Sequence, residues 1–169
     1  SVTITITENE SAPTITLATS ASSIAENAGS SLTLTATSSI VADEDITISI
    51  STSGTGTEGT DYGTISDITI SAGDTTGTVS FTPTDDSVYE GNETGIVAIS
   101  GVSGADATES GTPSVTITIT ENDSAPTITL ATSASSIAEN AGSSLTLTAT
   151  SSIVTDEDIL SKVSDVTVY

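Results

Sequence analysis

From Thr14 onward, apolar and polar residues alternate with a period of two. The pattern runs through TITLA at 14–18, SLTLTATS at 31–38, DITISIS at 45–51, TISDITI at 64–70, TGTVSFT at 76–82, TGIVAIS at 94–100 and SVTITIT at 114–120. Alternation over four to eight residues, bounded by Gly, Ser, Asn and Asp, predicts half-buried strands rather than helices. Ile15, Leu17, Leu32, Leu34, Ile46, Ile48, Ile50, Ile68, Ile70, Val79, Phe81, Val115, Ile117 and Ile119 are expected to point inward, and the intervening threonines to face water. Seven short strands with one apolar face each predict an all-β, immunoglobulin-like Greek-key sandwich.

The pattern also repeats at long range. Shifted by 113 positions, residues 1–46 align with 114–159 at 44 of 46 identities, the exceptions being Glu10/Asp123 and Ala42/Thr155. That period is too long for a solenoid unit and fits whole domains strung as beads. The expected division is a closing strand of one repeat at 1–11, a complete repeat at 12–123, and the opening part of another at 124–169. The chain starts inside a strand pattern, without a leader-like segment, and reads as a stretch from the middle of a longer protein.

Composition narrows the chemistry. The chain holds 23 Asp and Glu against one Lys, with no Arg, His or Cys, for a formal charge of −22. Without His or Cys there is no Ser-His-Asp triad, thiol nucleophile or ordinary zinc site, and no enzymatic activity is expected. A single cation cannot neutralise phosphates, so nucleic acid and anionic membrane surfaces would be repelled. No segment has the ~20 apolar residues of a helical membrane span. Tyr62, Tyr89 and Phe81 read as packing residues and Asn27 as a turn cap.

The acids are not spread evenly. In a seven-strand sandwich, the turns after the first, third and fifth strands and the end of the seventh share one pole. Those segments carry Glu26, Asp61, Asp85, Asp86, Glu90, Glu93, Glu121 and Asp123. Two unit charges at 4 Å repel by about 1 kcal/mol in water and about 4 kcal/mol at an effective dielectric of 20. Eight together predict a bound cation, and hard oxygen donors without His or Cys select calcium. The opposite pole carries Asp43, Glu44 and Asp45, repeated as Asp156, Glu157 and Asp158. In a head-to-tail string Asp43, Asp45, Asp156, Glu157 and Asp158, with Glu8 and Glu10, are candidates for an inter-repeat metal site.

The acidic motifs resemble the Calx-beta domain. They are Glu26-Asn27, Asp61-Tyr62, Asp85-Asp86 with Glu90 and Glu93, and the closing Glu121-Asn122-Asp123, together spanning essentially all of 13–123. The resemblance implies a seven-stranded sandwich with a calcium cluster at its distal pole. Here the closing triplet is Glu-Asn-Asp where calcium-binding members often carry three Asp, which implies fewer ions. The expected role is a calcium-binding structural repeat of an extracellular surface fibre or bacterial adhesin. Its partners would be neighbouring repeats, with calcium stiffening the joint between beads. Two alternatives stand beside it: a filament subunit assembled by strand addition between chains, and a ligand-binding module that takes ice on its threonine rows or glycans through calcium at its acidic loops.

Overall fold

The computed structural model describes residues 2–5, 11–111 and 114–153. Nine strands build one sandwich: β1 (Thr14–Thr19), β2 (Ser23–Ala25), β3 (Leu32–Ser38), β4 (Ile46–Gly54), β5 (Ile68–Ile70), β6 (Thr76–Phe81), β7 (Glu93–Ser103), β8 (Thr108–Glu109) and β9 (Ser114–Thr120). One sheet has the order β6-β3-β1-β8, the other β2-β9-β7-β4-β5. Ile15, Leu34, Ala36, Ile46, Ile48, Ile68, Ile70, Phe81, Val97, Ile117 and Ile119 close the core between them. Leu17, Leu32, Ile50, Val79 and Val115 pack at its margins. With aromatics scarce, the ring volume is concentrated in one stack, Tyr62 on Phe81, at a centroid distance of 4.7 Å. Gly95 lies under that stack, since a Cβ there would stand 2.8 Å from the Phe81 ring.

Two strands have no counterpart in the alternation pattern. β2 is three residues long and runs parallel to β9, with Ile24 opposite Ile119. β8 is two residues long and runs parallel to β1. Both are too short to show a period and depend on partners distant in sequence. The strand expected at 64–70 shrinks to Ile68–Ile70. Before it, Ile65 donates its N–H to the Glu58 carboxylate at 2.8 Å, in place of a ladder partner. Asp67 accepts the Ile50 N–H at 2.9 Å beside the register shift at Ser49/Ile50, which satisfies a donor at that irregularity.

The repeat reappears as a separate hairpin, β10 (Ile128–Thr132) with β11 (Leu147–Ser151). Its register, Ile128 opposite Ser151, is that of Ile15 opposite Ser38 displaced by 113. Burial does not carry over. Ile128 is 39% exposed and Leu147 48%, where Ile15 and Leu34 are 0%. Local pairing therefore forms the hairpin, while the core comes from strands distant in sequence. Residues 2–5, identical to 115–118, are likewise exposed and outside any strand. Their twins are held by β7 and β2, and residues 2–5 have no such neighbours among the described residues.

Candidate metal centre

The non-local pairing of β2 with β9 brings the first acid to the pole. The Glu26 N–H donates to the Thr120 carbonyl at 3.0 Å, continuing the parallel ladder one residue past β2. Glu26 is thereby only 6% exposed. The loop after β4 is closed by Asp61, whose Oδ2 accepts the Thr57 N–H at 2.6 Å. It is stitched to the loop after β6 by Thr84 N–H to the Asp61 carbonyl and Gly63 N–H to the Thr82 carbonyl, both at 2.9 Å. In that second loop the Asp86 N–H donates to Glu26 Oε1 at 3.2 Å, and Asp86 Oδ1 accepts the Val88 N–H at 2.6 Å. The latter is the local turn that Asp favours.

Glu121 has a different function from its neighbours. Its Oε2 accepts the N–H groups of Glu90 (2.7 Å) and Gly91 (2.9 Å), and its Oε1 those of Asn122 (2.9 Å) and Asp123 (2.8 Å). The Asn92 side-chain carbonyl in turn accepts the Glu121 N–H at 3.0 Å. Burial pushes the Glu121 carboxyl up, but the backbone donors outweigh it and hold the pKa below the ordinary value. One carboxylate thus fixes both the chain end of β9 and the turn before β7.

Around this anchor, carboxylate oxygens gather in three groups, each with members within 4.8 Å of one another: Glu26, Glu121 and Asp123; Glu26, Asp86 and Glu90; Asp61, Glu90 and Glu93. Glu26 belongs to two groups and Glu90 to two, so the three form a continuous chain. Seven of the eight sequence candidates are brought together in this way. The eighth, Asp85, stands outside the groups on the exposed rim, with its Oδ1 3.4 Å from the Asn122 side-chain nitrogen.

Unbalanced negative charge shows in the acid–base properties. Burial first, then the charges of Glu121 and Asp86, raise Glu26 to about 7 against one opposing N–H from Asp86. Burial, the charge of Asp61 and that of Glu90 raise Glu93 to about 7. Asp123 Oδ2 is buried without a hydrogen-bond partner, which ordinarily costs roughly 1–3 kcal/mol or more for a charged group. An oxygen-only donor set with one orphaned buried oxygen and two carboxyls pushed toward neutrality fits a hard divalent cation.

The opposite pole is arranged differently. Asp45 Oδ1 accepts the Ala72 N–H at 2.8 Å, and Glu44 accepts the Ala105 N–H, so these acids tie neighbouring turns together. Neither they nor Asp43 enter any of the three carboxylate groups. Glu8, Glu10, Asp156, Glu157 and Asp158 lie outside the described residues. Reading acids as charges alone missed the backbone-ordering work of Glu121 and the part of Asn92, whose signal was only its place between Glu90 and Glu93.

The family model of the Calx-beta domain matches residues 8–124. Among solved structures, the apo form of the Calx CBD1 domain is similar, with a TM-score of 0.53 and 17% identity over 66% of this chain and 99% of that one. CBD12 from CALX1.2 is also similar, with a TM-score of 0.51 and 17% identity over 60% of this chain and 41% of that one. At these identities the likeness establishes the fold. No curated protein matches the sequence.

Proposed function

We infer that this chain, which belongs to the Calx-beta family, is a calcium-binding module and not an enzyme. From that premise we propose that residues 12–123 are a calcium-binding structural bead in a tandem extracellular array of adhesin or surface-fibre type. The observation that carries the reading is the chain of three carboxylate groups ending on the unpartnered Asp123 Oδ2. Calcium supplies positive charge and tolerates six to eight irregular oxygen ligands, which suits donors drawn from separate loops. Glu26 and Glu90 would each serve two adjacent positions. Asp61, Asp86, Glu93 and Asp123 would complete the shells, and Glu121 would hold the backbone that presents them.

The same arrangement would act on the joint between beads. Asp123 is followed by Ser124–Thr127 and then by β10 at Ile128, so an ion at Asp123 would lie next to the linker. Glu8 and Glu10, Asp43 and Asp45, and Asp156, Glu157 and Asp158 are the acids available to reach across such joints. Partners in this reading are neighbouring repeats of the same chain. Extracellular calcium modules work at dissociation constants of ~10⁻⁴–10⁻³ M, so a cell-surface location would keep the site filled. At a tenfold excess of ion over the dissociation constant, binding stabilises the fold by about 1.4 kcal/mol per site.

Calorimetric titration with calcium tests the site, and small-angle scattering tests the joint. Saturable binding that is lost in Glu26→Gln is expected, with a maximum dimension longer in calcium than in chelator. Absence of heat and of any melting shift would refute the calcium reading. An unchanged dimension with binding intact would refute the stiffening alone.

A second reading, strand addition between chains, draws on the exposed apolar residues of β10, β11 and the segment between them. Covering them with strands from another copy would give concentration-dependent assembly. A monomer at every concentration would refute it.

A further inference from the structure

Glu58 shares the loop between β4 and β5 with Asp61, yet it belongs to none of the three carboxylate groups. Both of its oxygens are taken up within the protein. Oε2 accepts the Thr52 hydroxyl at 2.5 Å, and Oε1 accepts the Ile65 N–H at 2.8 Å. Thr52 lies on β4, just before the loop begins, and the buried Ile65 lies near its far end. Thr52 also interacts with the hydroxyl of Tyr62 inside the loop. One half-buried side chain therefore joins the strand that enters the loop to the segment that leaves it. A carboxylate acceptor makes these bonds stronger than neutral ones.

Between those two ends the loop forms one wall of the metal centre. Its turn closes on itself, with the Thr60 and Asp61 N–H groups donating to the Thr57 carbonyl at 3.1 and 2.9 Å. The Gly59 N–H donates to the Tyr62 carbonyl at 2.7 Å. Gly56 packs between two other members of the pole: a Cβ there would stand 3.4 Å from Glu93 Oε2 and 3.5 Å from the Tyr62 ring. The loop thus carries Asp61 and also backs the carboxylate of Glu93. These are two of the three members of the Asp61, Glu90 and Glu93 group.

We propose that Glu58 is a positioning residue for calcium: it clips this loop to β4 and so holds Asp61 and Glu93 at coordinating distance from one ion, without touching that ion. The inference rests on the calcium reading of the pole and adds a residue that works from outside the ligand set. Calcium–oxygen distances span only about 2.3–2.6 Å, so a loop shifted by about 1 Å withdraws its ligand. The effect is local. Glu58 acts at the end of the carboxylate chain occupied by Asp61 and Glu93. The other end, at Asp123, is ordered by Glu121 through its bonds to the Asn122 and Asp123 N–H groups. Two anchoring carboxylates, one at each end, divide the work of holding the ligands.

Calorimetric calcium titration of the full chain, run as a double-mutant cycle, is the test. Glu58→Ala is expected to weaken the ion at Asp61 by about 10–100-fold. In an Asp61→Asn background the same change is expected to add little, and in an Asp123→Ala background to add its full loss. Glu58→Gln, whose amide can still accept the Ile65 N–H and pair with the Thr52 hydroxyl, is expected to restore most of the affinity. Should Glu58→Ala fold poorly, Thr52→Val, which keeps the carboxylate, is expected to give a smaller loss of the same pattern. Equal losses in the two backgrounds overturn the proposal, as does a loss in Glu58→Gln as large as in Glu58→Ala. A lower metal-free melting temperature with unchanged calcium affinity of the folded chain overturns it too, because Glu58 then serves stability alone. A wild type that binds no calcium refutes the calcium reading and this inference together, whereas the preceding outcomes, with wild-type binding intact, remove the positioning role alone.

Discussion

Stability of the metal-free protein should fall as pH rises from about 5 to about 8, and calcium should remove that fall. Glu26 moves from 4.5 to about 7 on folding, and at ~1.36 kcal/mol per unit this is about 3 kcal/mol. Glu93 moves as far, but it is more exposed and screened, so the pair is worth roughly 4 kcal/mol. A carboxyl raised in the folded state binds its proton more tightly there than in the unfolded chain. Its stabilising effect is therefore complete below 4.5 and is lost as pH climbs through about 7. Glu121, held low by backbone donors, acts the other way, and its contribution fades only as pH falls below 4.5. For a bead of this size the alkaline loss corresponds to a melting shift on the order of 15 °C. Thermal unfolding followed by circular dichroism suits a protein without tryptophan, and resin-treated buffer avoids a chelator whose own affinity depends on pH. The calcium-induced rise should be markedly larger at about pH 8 than at about pH 5. Titration near pH 6 should also release up to about two protons per bead, read from the buffer dependence of the heat. A metal-free melting temperature that is flat or rising across this window would refute the reasoning.

Three substitutions separate the parts of the site and its support. Glu121→Ala should lower the metal-free melting temperature, by about 2–4 kcal/mol of stability, because four backbone donors lose their acceptor; denaturant unfolding without calcium measures it. Asp123→Ala should leave metal-free stability equal or higher, since it removes an unsatisfied buried oxygen, while weakening calcium binding in a calorimetric titration. Gly95→Ala should cost about 1–3 kcal/mol by pushing on the Phe81 ring, with the loss appearing in calcium and in its absence alike.

The sandwich was legible because its long strands each carry enough alternation to fix which face is buried. Ile15, Ile48, Phe81 and Ile117 lie where a period of two puts them, at 0% exposure. What sequence did not show are features made by partners far apart in the chain. β2 and β8 are too short for a period and exist because β9 and β1 run beside them. The shortening of the strand ending at Ile70 depends on carboxylates of Glu58 and Asp67 taking N–H groups that a ladder would otherwise use. Buried Tyr62, outside the alternating runs, and Ile65, ahead of the shortened strand, follow from the same loop being drawn under the pole.

The gathering of the pole's acids was legible from topology, because strand parity alone sends three turns and one chain end to the same side. Their separate duties were not, because eight carboxylates look alike in a sequence. Position relative to backbone donors divides them. Four N–H groups make Glu121 a permanent anion that shapes the loop with or without metal. Glu26 accepts one N–H in a buried setting beside two other acids and is left only about half ionised at pH 7. An anchor that stays charged and two carboxyls that become fully charged when a cation arrives are the combination a reversible site requires. The first keeps the loops in place when the ion leaves, and the second limits the repulsion they must then withstand. If every acid at the pole were as ionised as Glu121, the empty site would carry the full repulsion of seven charges, and folding would depend on calcium outright. Measured folding in metal-free buffer at about pH 6, where Glu26 and Glu93 are largely protonated, distinguishes the two designs.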